Sequence, residues 1–393
     1  MPTDAWTTEQ RRDLRALVTD FTTRQIVPHL PEWERAGSLP RSLHRDAAEL
    51  GLLGLGFPEE LGGSGGDFLD VVVMTEAMLQ AGASGGVISA LFTHGISLPH
   101  VIDEHDRRVA ADDAERADYL ATEIIRPVLA GELICSLAVT EPDGGSDVAR
   151  LRTSAMRQDG GWAVSGAKTF ITSAVRADRV VTAVRTPESG DGAAGITLMI
   201  LDPTAPGYAT PRPLEKMGWW CSDTAELSFD GVPVEERDVL GLGQGFASLA
   251  RHFVSERLSI AVTAYATAQR SLDLALAWAR NRETFGRPLI TRQTIRHQLV
   301  DMHRRTDVAR VYARDLAERY VAGENLVVEA ALAKQTAVEA AEYVVDRAVQ
   351  IHGGMGYMRE MEIERHYRDV RVLGIGGGAT EVMTDLAARL LGY

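Results

Sequence analysis

The chain has 393 residues, 45% hydrophobic and 24% charged, enough to bury a sizeable core and to divide into two or three domains. Its net charge of −14 argues against nonspecific binding to nucleic acid or to an anionic membrane, while leaving room for a local basic groove that holds a phosphorylated cofactor. Cys135 and Cys221 are the only cysteines and have no metal-ligand spacing, so neither a disulfide framework nor a metal site is expected.

The N-terminal residues lack a basic region followed by an apolar core, and no uninterrupted apolar run of membrane-spanning length occurs, so a cytoplasmic protein with no membrane attachment is expected. The first third reads as helical. Thr7 and Gln10 are spaced as a capping box, and Leu14, Leu17, Val18 and Phe21 then recur at helical spacing until Pro28. Further helices are predicted over Ser42 to Leu50, stopped by Gly51, and Phe68 to Gln80, stopped by Gly82. Residues 103–118 form a mixed charged stretch, read as a solvated helix or loop.

After about residue 132 the period changes. Arg152 to Gln158 and Trp162 to Lys168 flank Asp159-Gly160, a hairpin signal, and Val180 to Val184, Ile196 to Leu201 and Ala225 to Phe229 read as short strands. Helical periodicity returns over roughly 245–281, 291–321 and 327–351, with a last helix near Thr380 to Leu391. The expected fold is therefore α+β, with segregated layers: a helical unit over 1–132, a β unit over 133–240 and a helical bundle over 241–393.

The densest chemistry lies in Ala138-Val139-Thr140-Glu141-Pro142-Asp143-Gly144-Gly145-Ser146-Asp147, which follows an apolar strand-like run ending through Leu137. Two glycines let the backbone approach a ligand, while Thr140 and Ser146 offer hydroxyls to a heterocycle or a phosphate. No G-x-G-x-x-G fingerprint follows a strand, so a nicotinamide-binding unit is unsupported.

This stretch resembles the first signature of the acyl-CoA dehydrogenase family, and further family-like segments follow in order. Lys168-Thr169-Phe170-Ile171-Thr172-Ser173 is similar to the segment that lies against the isoalloxazine ring, with Phe170 where the family commonly has tryptophan. Arg282-Glu283-Thr284-Phe285-Gly286, followed by Gln293, resembles the family's turn between two bundle helices, whose arginine reaches the flavin nucleotide of a neighbouring subunit. Gln350-Ile351-His352-Gly353-Gly354-Met355-Gly356-Tyr357 is similar to another flavin-contacting segment. The resemblance implies FAD contacts from Leu137, Val139, Thr140, Gly145, Ser146, Phe170, Thr172, Arg282, Thr284, Phe285, Gln293, Gln350, Gly353, Gly354, Ala379 and Glu381.

Many members of this family supply the base for α-proton removal as a tail glutamate, whose place is taken here by Gly377 in Ile375-Gly376-Gly377-Gly378-Ala379-Thr380-Glu381. In the isovaleryl-CoA and long-chain branches the base comes from a Glu-Arg pair on a bundle helix, and Glu256-Arg257 stands at that place, with Phe253 and Ile260 on the same helix face. The resemblance thus implies Glu256 as base, with Glu381 the competing carboxylate, and the Gly377 N–H as a donor to the thioester carbonyl. It also implies substrate contacts from Ser146, Arg257 and Gly378.

The implied protein is an FAD-dependent acyl-CoA dehydrogenase with a helical domain, a β domain and a C-terminal four-helix bundle, a homotetramer that passes electrons to an electron-transfer flavoprotein. Three alternatives stay open: an acyl-CoA oxidase, a dehydrogenase of carrier-protein-linked acyl groups, and a catalytically silent acyl-CoA-binding protein.

Overall fold

A computed structural model describes residues 4–393. Thirteen α-helices and ten strands are present among the described residues, eight of the strands falling in one run between two helical ones and the last two between helices of the C-terminal run. The N-terminal run holds α1 (Glu9–Phe21), α2 (Leu30–Ala36), α3 (Arg41–Glu49), α4 (Phe68–Gln80), α5 (Gly85–Leu91), α6 (His94–Ala110), α7 (Ala114–Tyr119) and α8 (Arg126–Leu129).

Local chemistry explains the ends. Thr8, not Thr7, caps α1, its side chain accepting the Arg11 N–H, because Thr7 is taken up in a preceding turn of 3-10 helix over Ala5–Thr7. Asp67 and Asp70 form a reciprocal capping box on α4. The chain leaves that helix through Gly82 at φ +104°, a conformation that favours glycine.

The charged stretch 103–118 does not behave as a solvated face throughout. It spans parts of α6 and α7, and Glu104 is 0% exposed, held by Arg107, Arg108 and Arg116. The span Gly85–Ala110 is apolar enough by composition to cross a membrane, but it folds as α5 and α6 and most of it is buried inside the protein.

The middle run supplies β1 (Cys135–Ala138), β2 (Ser154–Gln158), β3 (Gly161–Thr172), β4 (Arg179–Arg185), β5 (Ile196–Leu201), β6 (Tyr208–Pro213), β7 (Thr224–Glu235) and β8 (Val239–Leu240). They form one eight-stranded sheet in the order β6-β7-β3-β2-β4-β5-β8, with β1 parallel to β4. Asp159 and Gly160 make the predicted two-residue turn between β2 and β3, Gln158 pairing with Gly161. β6 and β8 have no counterpart among the sequence expectations, and both are edge pieces with little alternation to betray them.

The C-terminal run begins with α9 (Gly245–Asn281), then the short strands β9 (Glu283–Thr284) and β10 (Arg287–Pro288), then α10 (Gln293–Val321) and α11 (Val327–His352). It ends with α12 (Glu362–Val370) and α13 (Thr380–Leu391). Leu258, Ala261, Val262, Tyr265, Ala268, Leu272, Ala275 and Ala279 keep one face of α9 buried along its whole length against α10, α11 and α4. The small alanines let the helices approach closely. α12, absent from the sequence expectations, is short and strongly charged, and is placed by contacts with α9 and α11.

Glu76 of α4 ties the two helical runs together. Its carboxylate accepts from Arg15 of α1 at 2.8 Å, from Tyr265 of α9 at 2.8 Å and from Arg314 of α10 at 2.7 Å. A buried carboxylate so fully paired specifies which helices meet, because losing a partner leaves a buried acceptor site without its donor.

Candidate functional site

Glu256 lies on α9, one turn after His252 and one turn before Ile260, at a point where α9 passes the tail between α12 and α13. The Glu256 side chain is half-buried, and burial pushes its carboxyl pKa up against the opposing pull of Arg257 and Lys334. A raised pKa makes a carboxylate a better base. Gly377 takes φ +63°, and a Cβ built on it would stand 3.5 Å from Glu256 Oε1 and 3.7 Å from Lys334 Nζ. The helix position and the tail position are therefore two approaches to the same spot.

The tail itself is held in an open loop. Gly376 N–H donates to Val372, whereas the Gly377 N–H meets no backbone acceptor among the described residues, which leaves it free for a ligand oxygen. Gly378 has φ +94° and packs so tightly on Met383 that no larger residue fits without displacing it. Ala379 is the N-cap residue of α13, and Glu381 in the first turn is exposed, a solvated carboxylate without the dry surround that Glu256 has.

Arg257 is buried, with its guanidinium 5.6 Å from the Phe253 ring centre. Its Nε is buried without a hydrogen-bond partner, an uncommitted donor next to the proposed base. Burial also pulls its pKa down, the cost of holding the guanidinium away from water.

The loop after β1 packs into the same apolar cluster as this part of α9. Leu137, Val139 and Thr140 are half-buried, and Leu137 and Val139 share an apolar cluster with Phe253 of α9. Lys168, 0% exposed, donates to Val139 O at 3.0 Å and to Glu141 Oε1 at 2.9 Å. Glu141 also accepts the backbone N–H groups of Arg152 and Thr153, and the Thr169 N–H donates to Thr140 O at 2.9 Å. These bonds fix the root of the loop, while Gly145 and Ser146 at its tip are exposed. Burial lowers the Lys168 pKa to about 8, with Glu141 pulling the other way.

Phe170 sits at an irregularity in β3, with φ +60° and 68% exposure. A left-handed backbone at an exposed aromatic is strained and unusual. Thr172 is paired across from Thr224 and half-buried. Ser173, also at positive φ, is pinned by its N–H to Asp223 O at 2.8 Å, and its buried Oγ has no partner. An exposed apolar ring, an open glycine loop and an orphaned hydroxyl fit a flat, partly polar heterocycle such as a flavin.

The remaining candidates gather elsewhere. Arg282 is exposed at the end of α9, Thr284 is half-buried in β9, Phe285 is 98% exposed at φ +53°, and Gln293 is exposed at the start of α10. Gln350 and Gly354 are exposed and Gly353 has φ +63°. Trp278 stacks on His352 with ring centres 5.0 Å apart, so the ends of α9 and α11 that carry these segments are neighbours. A rise of about 1.5 Å per residue puts Arg282 about 39 Å beyond Glu256 along α9. Within one chain, the predicted site residues form two separate groups.

Sequence reasoning missed Lys334. Its signal was a single lysine on an α11 face otherwise made of Ala330, Ala331, Ala333, Ala337 and Val338, all buried. A buried lysine among alanines has to find partners, and these are the Gly376 and Gly378 carbonyls.

Comparison with known proteins agrees with this architecture. Family profiles described as acyl-CoA dehydrogenase N-terminal, middle and C-terminal domains match residues 8–120, 136–232 and 243–392. A protein of this kind from Mycobacterium smegmatis, solved as a crystal structure, is 54% identical over 99% of both chains, with a TM-score of 0.94. The 3-(aryl)acrylate reductase of Clostridium sporogenes is 32% identical over 97% of this chain and 98% of its own length. The mitochondrial long-chain specific acyl-CoA dehydrogenase of Rattus norvegicus is 32% identical over 95% of this chain and 85% of its own. With all three domain profiles in order and relatives matched nearly end to end, the chain belongs to the acyl-CoA dehydrogenase family.

Proposed function

We propose that this enzyme desaturates an acyl-CoA thioester between Cα and Cβ, with Glu256 as the base and FAD as the cofactor. The observation that carries the assignment is the convergence of Glu256 Oε1 on the position a tail glutamate would occupy at Gly377. The family membership supports dehydrogenation, and the dry surround of Glu256 supports its role as base.

Glu256, in its carboxylate form, takes the α-proton. The C–H electron pair moves toward the thioester carbonyl, where the uncommitted Gly377 N–H donates to the developing enolate oxygen. Arg257 offers its unpartnered Nε to the substrate, and Phe253, Leu137 and Val139 keep water from the reacting carbons. When bound, FAD supplies the acceptor for the β-hydride. Leu137, Val139, Thr140, Gly145, Ser146, Phe170 and Thr172 would hold it from one chain, together with Ala379 and Glu381 on the tail, while Gly378 would contact the substrate.

Arg282, Thr284, Phe285, Gln293, Gln350, Gly353 and Gly354 would reach the cofactor of a second copy, which is the simplest use for a group so far from Glu256. We take the domain division as 1–132, 133–240 and 241–393, the assembly as a homotetramer, the compartment as cytoplasmic and the electron acceptor as an electron-transfer flavoprotein. The test is anaerobic addition of butyryl-, octanoyl- and isovaleryl-CoA to the purified yellow protein. Bleaching of the flavin by at least one supports the reading, and a protein that neither carries nor takes up FAD overturns it. Slow reoxidation in air, with fast reoxidation by an electron-transfer flavoprotein, separates a dehydrogenase from an oxidase.

A further inference from the structure

Lys334 projects from α11 into the loop that carries Gly377, and its ammonium donates to the carbonyls of both Gly376 and Gly378. It is one of the largest fully buried side chains in the molecule. The acid that acts on it is Glu256, which lies across Gly377. Since both groups lie within 4 Å of the point a Gly377 Cβ would occupy, their charges are no more than about 7 Å apart.

The geometry of a trans peptide gives this clamp a direction. A peptide C=O and the N–H of the following residue point to opposite sides of the same plane. Because the Gly376 carbonyl is drawn to the Lys334 ammonium, the Gly377 N–H is turned away from α11, and it is this N–H that finds no backbone acceptor. Positive φ at Gly377 and Gly378 then lets the chain bring the second carbonyl back to the same ammonium. One side chain thereby sets the orientation of both peptide groups.

We propose that Lys334 is a positioning residue for proton abstraction: it aims the Gly377 N–H as an oxyanion donor and places a positive charge beside the base. The proposal rests on the reading of Glu256 as that base. The groups facing Glu256 are Arg257 on its own helix and Lys334 from α11, while the tail loop from Gly376 to Ala379 contributes no charge. Lys334 in turn faces Glu256 and Arg257, and burial lowers its pKa to about 8. In the step itself the α-C–H bond breaks, an O–H bond forms on Glu256, and the electron pair is accommodated on the thioester oxygen facing the Gly377 N–H.

The experiment compares the flavin-loaded wild type with Lys334→Met, which keeps length without charge or donors, and Lys334→Gln, which keeps a donor without charge. The first measurement is hydrogen exchange of the Gly376 amide, whose N–H donates to Val372 O and reports whether the loop stays closed; it needs no turnover. The second is the pH dependence of anaerobic flavin reduction by whichever of butyryl-, octanoyl- or isovaleryl-CoA reduces the wild type fastest, with substrate affinity from titration. Lys334→Met should speed exchange in the loop, lower the saturating reduction rate by about 10²–10³-fold with a smaller change in affinity, and move the acid limb of the profile to higher pH. Lys334→Gln should move the acid limb similarly while retaining part of the exchange protection.

Wild-type exchange together with an unmoved acid limb in either variant would overturn the proposal. If Lys334→Met does not fold, Lys334→Gln decides by the same two measurements. Should Glu256→Gln reduce its flavin at the wild-type rate, the base reading fails and the chemical half of the proposal falls with it, whereas the exchange result still decides whether Lys334 orients the loop.

Discussion

A Cβ placed on Gly377 would overlap Cδ1 of Ile260, one helical turn beyond Glu256. The tail therefore excludes a glutamate for two reasons: Ile260 fills its space, and φ +63° costs any residue with a Cβ about 1–2 kcal/mol. Moving the base to the tail takes more than exchanging two residues. Glu256→Gly with Gly377→Glu should reduce flavin no faster than Glu256→Gly alone, while adding Ile260→Ala should restore a measurable part of the rate. Anaerobic stopped-flow reduction distinguishes them, and recovery in the two-residue variant would show that Ile260 moves aside freely.

Glu256→Gln should slow flavin reduction by about 10²–10⁴-fold while leaving substrate binding intact. The wild-type rate should fall on the acid side at a pH above the ordinary carboxylate range, because burial raises the Glu256 pKa. Stability follows the same linkage with a definite sign. A folded-state pKa above the unfolded value means that the native protein binds the extra proton, so Glu256 favours folding in acid and this is lost as pH rises through its folded pKa. Glu256→Gln should therefore melt higher than wild type near neutral pH, with the difference shrinking as both states become protonated. Equal melting temperatures at pH 7 would show that Glu256 is not strained by burial.

The Lys168–Glu141 pair should matter to cofactor retention as well as to folding. Replacing Glu141 by Ala strands a lysine that is 0% exposed and frees the Arg152 and Thr153 N–H groups, at a cost of about 3–5 kcal/mol. Urea unfolding should show that loss, and the surviving folded protein should carry less FAD because the loop after Thr140 is no longer tied to Lys168, Arg152 and Thr153. Full occupancy in the variant would separate the pair from the loop it anchors.

Glu104 gives a purely structural counterpart. Glu104→Ala leaves Arg107, Arg108 and Arg116 without their shared carboxylate, but the partial exposure of these arginines discounts the penalty to about 2–3 kcal/mol. Denaturant unfolding should register it while flavin reduction stays close to wild type. A change confined to activity would mean that α6 communicates with the site.

The sequence made some of this arrangement legible and hid the rest for identifiable reasons. The long helices α9, α10 and α11 could be bounded closely because each keeps an apolar stripe over many turns, and Asp159-Gly160 announced its hairpin through turn chemistry. Glu104 was hidden because a buried carboxylate with three arginines has the same composition as a solvated charged face. Lys334 was hidden because its partners are backbone carbonyls, which leave no mark in a sequence. Glu256 could be singled out only through resemblance, and its proximity to Gly377 is a matter of tertiary packing between α9 and the tail.

The length of α9 also has a genetic consequence. On the proposed arrangement, in which Arg282 of one copy reaches the cofactor beside Glu256 of another about 39 Å away along α9, a hybrid of two differently damaged chains would place both defects in one composite site and leave the reciprocal site whole. Glu256→Gln and Arg282→Ala chains, each defective alone, should therefore complement each other when co-expressed, recovering a minority of sites with wild-type turnover. Chains carrying both changes together should rescue nothing.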